Sequence, residues 1–252
     1  MAHFKNAYDS HNHSLEILNL LYGYDSFLDS LSFIADMGCG EGHDAHWWAT
    51  LETRDDPPEP RNYTVYAVDH NQRCLDSELI VNTENIIPIL GNFEVYGTVP
   101  RKVDLVWAHD SLQYALDPYS CVASWRRGLN LNGMLVLAVP QDTYYYNNRL
   151  VINNHSSTPY SYNILNLIYM LACNGFDCND AYFYRKANTP WLYAAVYASE
   201  YDPETPKLSW YDLAERGLVN SSIAASVNKY GFARLDDLVV NWLDKNFYKI
   251  DN

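Results

Sequence analysis

The chain has 252 residues, 48% of them hydrophobic and 19% charged, a composition that excludes a disordered chain and allows a substantial buried core. A formal net charge of −14 repels polyanions and disfavours DNA or RNA as a partner, because phosphate contacts supply most nucleic-acid affinity. Five cysteines, an odd number with no C-x-x-C pair, argue against a disulfide framework and a zinc knuckle and point to reduced, mostly buried thiols.

The short basic groups Arg101-Lys102 and Arg126-Arg127 form no basic stripe. The longest apolar runs, such as residues 133–140, fall short of the roughly 18 to 20 residues of a membrane-spanning helix. Residues 1–6 lack a charged-then-apolar leader. The expectation is a soluble, cytoplasmic protein without a membrane partner.

In chain order, a helix is expected over residues 14–22, preceded by the His11-x-His13 pair. A first strand over 32–36 ends in Asp36 and runs into the turn Asp36-Met37-Gly38-Cys39-Gly40-Glu41-Gly42, then a helix over 41–51. Residues 54–61, with three prolines, form a surface loop. A second strand over 63–69 ends in Asp69-His70, followed by a helix over 72–82. A third strand, 86–90, leads into Gly91-Asn92-Phe93, and a fourth, 103–109, into His109-Asp110-Ser111-Leu112-Gln113-Tyr114. A helix over 118–127 and a fifth strand over 134–139 come next, with Tyr144-Tyr145-Tyr146 beyond them. The continuous apolar character of 103–108 and 134–139 is that of strands buried on both faces, and the alternation of strands with helices is that of a parallel sheet with crossovers.

A helix over 162–174 stops at Gly175. Strands over 181–185 and 191–198 are joined by so short a link that they must pair antiparallel. After residue 201 a linker, 202–206, precedes helices over 209–218, 221–230 and 235–243. In the last of these Leu235, Leu238, Val239, Trp242 and Leu243 make an apolar stripe that must be covered by the main domain, a second copy or a partner.

Glycines at 38, 40 and 42 between a strand and a helix let the backbone approach a ligand where side chains would collide, and the helix start offers unpaired N–H groups. A dinucleotide fingerprint would require glycine at 43, where His43 stands, so a nicotinamide-dependent reductase loses ground. Taken alone, the turn also suits a purely structural role. Asp69 is placed to accept both hydroxyls of a ribose, or to cap the helix after it. Asn92 offers an amide to an adenine edge and Phe93 a ring to its face; a turn Asn and a core Phe are the ordinary alternatives.

Together with the fourth strand and Leu129-Asn130-Leu131-Asn132-Gly133, these segments, in this order, resemble class I S-adenosylmethionine (SAM)-dependent methyltransferases. The resemblance covers about residues 33–198, with a looser likeness to members encoded by bacteriophages. It implies an α/β fold: a seven-stranded Rossmann-like sheet with the last strand antiparallel, flanked by helices. The SAM-binding domain would span 1–201, with an N-terminal helical lid over 1–30, and a helical C-terminal extension would span 202–252. It further implies that Asp36, Gly38, Cys39, Gly40 and Gly42 cradle the methionine and ribose portion of S-adenosyl-L-methionine. Asp69 would hold the ribose, His70, Asn92 and Phe93 would frame the adenine, and the loop from Ala108 to Tyr114 would face methionine and substrate. Two departures stand out: the family more often has Asp where this chain has Asn92, and the Pro-rich loop lengthens the path from Gly42 to Asp69.

Methyl transfer from a sulfonium is an in-line displacement in which positioning supplies most of the catalysis; a base is needed only for a protonated acceptor. His109 is the first candidate for that base, with Asp110 and Tyr114 beside it; an imidazole satisfied by a backbone carbonyl or packed on the cofactor is the alternative reading of His109. Tyr144, Tyr145 and Tyr146 could wall the acceptor pocket. No cysteine or carboxylate set has metal-ligand spacing. The acceptor is expected to be a small molecule or a protein side chain. The rival function is a SAM-fold module without catalysis, docking through 209–252 to a partner or a second copy.

Overall fold

The computed structural model describes residues 25–146, 149–152, 160–185, 191–203, 208–234 and 238–242, with backbone only at 25, 144–146, 149–151 and 242. His11, His13, the helix expected over 14–22 and most of the lid expected over 1–30 lie outside the described residues.

A central sheet carries strands β1 (Phe33–Met37), β2 (Thr64–Asp69), β3 (Ile86–Leu90), β4 (Val103–His109), β5 (Leu129–Pro140), β8 (Phe176–Arg185) and β9 (Trp191–Ala198) in the order β8-β9-β5-β4-β1-β2-β3. β1 to β5 run parallel, and β9 is inserted antiparallel between β5 and β8. These seven strands form the expected Rossmann-like sheet with its last strand reversed. Around it lie helices α1 (Asp25–Asp29), α2 (His43–Ala49), α3 (Gln72–Leu75), α4 (Glu78–Val81), α5 (Pro118–Gly128) and α6 (Ile164–Cys173).

The central strands are buried on both faces, which is why their sequences are continuously apolar. The two-residue period still sorts them. Val106, Ala108, Leu135, Leu137 and Val139 join the core on one face, with Trp125 and Leu167. Leu105, Trp107, Met134, Val136 and Ala138 join the other, with Trp48 and Tyr63. At the amino ends of the strands, Asp104 accepts the N–H groups of Ser32 and Phe33 (2.9 and 3.0 Å) and the Asn130 side-chain N–H (2.8 Å). One carboxylate therefore fixes the entries of β1, β4 and β5 relative to one another.

Four local expectations change. The helix over 72–82 is two short helices, because Ser77 caps a new start by accepting from the Ile80 N–H and donates to the Glu41 carbonyl (2.6 Å). The strand expected from residue 181 begins at Phe176, with a register shift between Asp177 and Tyr182. The tyrosine segment enters a hairpin, β6 (Thr143–Tyr146) with β7 (Arg149–Ile152), which the sequence did not announce. The helix expected over 235–243 is overturned: residues 238–240 are not helical, and β10 (Asn241–Trp242) pairs parallel with β8 as an eighth strand of the sheet. Leu238 is buried and Val239 exposed, the alternation of extended backbone rather than a helical stripe.

Beyond the sheet, α7 (Trp210–Glu215) and α8 (Ser221–Tyr230) follow β9. Leu213, Leu218 and Val219 are buried in the same core as α5 and α6. No helix among the described residues is long and apolar enough to cross a membrane.

Candidate functional site

The glycine turn leaves the carboxyl end of β1 and is held from beneath by β2. Gly38 and Cys39 both donate to the Val68 carbonyl (2.8 and 3.0 Å) and Gly40 donates to Asp69 Oδ2 (3.0 Å). Two glycines here are required for different reasons. A Cβ on Gly42, at φ +80°, would lie 2.3 Å from Ile80 Cγ1, so the turn packs against α4 through a missing side chain. Gly40, at φ +53°, would place its Cβ where no atom of the described residues lies within 4 Å.

A cleft of about 280 Å³ opens at this turn. Asp36, Gly38, Cys39 and Gly40 form one side, and His109 and Asp110, from the end of β4, the other; Glu41, His43, Asp44 and Cys74 complete it. Asp36 is 2% exposed and its Oδ2 has no hydrogen-bond partner among the described residues. Burial first, then the charges of Asp44 and Asp69, push its carboxyl well above the usual carboxylate range, against the opposing Ala45 N–H. A buried carboxylate oxygen without a donor is costly. Beside the Gly40 backbone, it leaves an acceptor for which the described residues supply no donor. The Cys39 thiol is also pushed up, by burial and then by Asp36 and Asp69, which makes it a wall and not a nucleophile.

Asp69 accepts Gly40 N–H on one oxygen and Asn71 N–H (2.8 Å) on the other, so it shapes the turn as well as presenting a carboxylate at the end of β2. His70 lies outward, its side chain 78% exposed and its Nδ1 3.5 Å from Asp69 Oδ1. Asn92 and Phe93 stand apart from the cleft walls. Asn92 Oδ1 accepts from Glu94 N–H (2.9 Å), and Phe93 is a core residue whose carbonyl accepts Trp125 Nε1–H (2.7 Å). Tyr114, 47% exposed, is likewise outside the walls.

On the acceptor side, His109 is almost fully buried, with its ring 5.8 Å from Trp191 and 6.4 Å from Tyr193. Asp110 adopts φ +54°, rare for a residue with a side chain. Its Oδ1 accepts from Gln113 Nε2, and burial, partly opposed by that hydrogen bond, raises its carboxyl to about 6. Three contributors had no individual role read from the sequence, Ser111 and Gln113 being expected only as part of the loop after β4. Asp44 sits in the first turn of α2 and accepts Trp107 Nε1–H (2.9 Å); Ser111 packs under Gly38, where a Cβ would lie 2.6 Å from its own; Gln113 holds Asp110. The Asp at the start of α2 was visible, but its partner across the sheet was not.

A larger cleft, about 360 Å³, lies at the amino ends of the strands between Phe27, Asp104, Gly133 and Tyr197. Its one titratable carboxylate is Asp104, already bonded to three N–H groups. The chemistry therefore belongs at the carboxyl ends, where open α/β sheets bind ligands.

Residues 35–137 match a family model described as a methyltransferase domain, a segment that runs from β1 into β5 and contains the turn, Asp69 and the Asp110 loop. No curated protein matches the chain. Among solved structures, it is similar to the N-methyltransferase NodS from Bradyrhizobium japonicum WM9 in complex with S-adenosyl-L-homocysteine, at 14% identity over 78% of this chain and 90% of that one, TM-score 0.56. It is also similar to a putative S-adenosylmethionine-dependent methyltransferase from Listeria monocytogenes, at 14% identity over 73% and 99%, TM-score 0.51. Magnesium protoporphyrin IX methyltransferase from Synechocystis PCC 6803 with bound SAM matches at 14% identity over 79% and 87%, TM-score 0.50. At these identities the structures speak for the fold. The chain thus carries a segment that matches a methyltransferase domain, on a fold similar to that of SAM-dependent methyltransferases.

Proposed function

We propose that the protein transfers the methyl group of SAM to a small molecule or a protein side chain, in the cleft between the glycine turn and the end of β4. The observation that carries this reading is the buried oxygen of Asp36, without a donor among the described residues, beside a Gly40 backbone that no described atom crowds. Asp36 with Gly38, Cys39 and Gly40 would hold the methionine end, and Asp69 at the end of β2 would take the ribose hydroxyls with the lone pairs its two backbone bonds leave. When bound, SAM supplies a methyl group on a sulfonium, a leaving group that needs no covalent help from the protein. The chain's own contribution is position: the turn fixes the donor from one side while His109 and Asp110 meet the acceptor from the other.

A non-catalytic module docking through its tail has less support. The described part of the tail turns Leu213, Leu218 and Val219 into the domain's own core.

Titration calorimetry of the purified chain with SAM tests the reading. Asp36→Asn is expected to raise the dissociation constant by about tenfold to a hundredfold, the worth of one charge-assisted hydrogen bond, with the melting temperature retained. Folded wild-type protein that takes up no SAM would sink the proposal.

A further inference from the structure

We infer that the methyl acceptor is a small molecule with an apolar body, aromatic or aliphatic, which seats on a face made by Tyr114, Leu116 and Tyr160 at the rim of the cleft; this deepens, and rests on, the methyltransferase reading above.

The face begins where β4 ends. Asp110 lines the cleft, and the 3-10 turn Leu112–Tyr114 follows it, with the Tyr114 N–H donating to the carbonyl of Ser111, the residue next to Asp110 (3.0 Å). Leu112 and Ala115 anchor this turn in the core, both fully buried, while Tyr114 is 47% and Leu116 85% exposed. Leu116 is the most exposed large apolar side chain among the described residues.

Its backbone is nevertheless pinned from both sides. The Leu116 N–H donates to Glu94 Oε2 (3.1 Å), and its carbonyl accepts the Tyr160 hydroxyl (3.0 Å). Glu94 comes from the loop after β3. Tyr160 comes from the segment leading into α6, which is tied to the end of β5 by the Tyr162 N–H on the Pro140 carbonyl (2.8 Å) and the Asp142 N–H on the Tyr162 carbonyl (2.9 Å). Three separate stretches of chain thus hold one exposed leucine in place, with a tyrosine ring that is itself 38% exposed bonded to its carbonyl. An exposed leucine forgoes the stabilisation that burial gives, and apolar groups presented on fixed backbone beside a cleft are what ligand-binding surfaces are made of.

What this face presents is carbon. The N–H groups of Tyr114, Ala115 and Leu116 are spent on Ser111, Leu112 and Glu94, and the Tyr160 hydroxyl hydrogen on Leu116. The stretch therefore offers no N–H to the backbone of an extended peptide, the contact from which such a partner draws its affinity. An apolar body gains here by releasing water from Leu116 and the tyrosine rings, and the net charge of −14 works against a polyanion. Continuity with Asp110 identifies the occupant. A molecule whose reacting atom meets the methyl group in the cleft carries its remainder out over the rim, and on the acceptor side that rim is the turn after β4.

The test titrates the full chain, saturated with S-adenosylhomocysteine, with N-phenyl-1-naphthylamine, an uncharged fluorophore that brightens on leaving water. Wild type is expected to bind it saturably. Leu116→Asp, at a position too exposed to disturb folding, is expected to keep its affinity for S-adenosylhomocysteine and bind the fluorophore at least about tenfold more weakly, the worth of one leucine contact. Leu131→Asp replaces another exposed leucine, in the cleft at the amino ends of the strands, and is expected to bind as wild type does. Fluorophore binding that is absent from wild type, unchanged in Leu116→Asp or equally lost in Leu131→Asp overturns the inference. So does a wild-type dimer in sedimentation velocity that Leu116→Asp separates, because a second copy would then occupy the face. Wild type that takes up no S-adenosylhomocysteine overturns the methyltransferase reading itself, so the two failures are distinguishable.

Discussion

Asp110 costs the fold stability in order to keep a carboxylate at the end of β4. Its carboxyl is raised from 3.8 to about 6 by burial, with Asp36, Asp44 and His109 around the same cleft and Gln113 opposing the shift. The folded protein therefore binds more protons than the unfolded chain between those values, and stability falls as pH rises through that window. Above about 6 the loss is complete, on the order of 2 to 3 kcal/mol for a shift of that size. Asp110→Asn removes the titration while keeping an oxygen for Gln113 and a side chain at ease with positive φ. Urea unfolding is expected to find the variant more stable than wild type by up to that amount at pH 8, and equal to it near pH 4. Equal stability at both pH values would mean that the carboxyl is not desolvated. That Asp36, Gly38 and Gly40 share one turn was legible in the sequence because a strand end, a turn and a helix start are contiguous there. Gln113 was not, because only the turn after β4 brings its amide onto Asp110. Asn92 and Phe93 had two readings each, and burial, which no single sequence displays, decides which groups they bond.

At the scale of elements, the strands were legible because a parallel strand buried on both faces has to be a continuous apolar run. The tail was less so. A stripe at helical spacing over residues 235–243 was compatible with a helix, yet the β8 edge offered Asn241–Trp242 a backbone ladder instead, and pairing with an open edge satisfies N–H and C=O groups that would otherwise face water. Arg126 makes a similar point. In the sequence it is half of a small basic pair; in the fold it is buried, its pKa lowered by desolvation, with Asp202 opposing. Its Nε donates to the Gly175 carbonyl (3.0 Å), and one terminal nitrogen donates to the carbonyls of Ser199 and Tyr201. One guanidinium thus ties α5 to the end of α6 and to the chain leaving β9. Arg126→Leu leaves those carbonyls without donors, and a loss on the order of 3 kcal/mol is expected in denaturant unfolding, with SAM affinity unchanged because the residue is remote from the cleft. A loss below about 1 kcal/mol would show that water replaces it.

Whole-molecule behaviour turns on whether the segment after β9 is an appendage or part of the core. The described residues favour the second physically: Leu213 is fully buried, Cys178 N–H donates to the Leu218 carbonyl (2.9 Å), and Tyr169 reaches across from α6 to the Leu208 carbonyl (2.7 Å) while its ring lies 5.2 Å from Trp210. These contacts close the α6 side of the sheet, the face opposite Trp48 and Trp107. An element that buries its leucines in a shared core unfolds with that core. Leu213→Ala is therefore expected to cost about 2 to 5 kcal/mol, the range for deleting a buried leucine side chain. The whole thermal transition should move down by roughly 2 to 4 °C for each kcal/mol, in a single step reported alike by tryptophan fluorescence and far-ultraviolet circular dichroism. Two separated transitions, with the one reported by tryptophan left at the wild-type midpoint, would instead make the tail an independent unit and restore docking as its reason for being there.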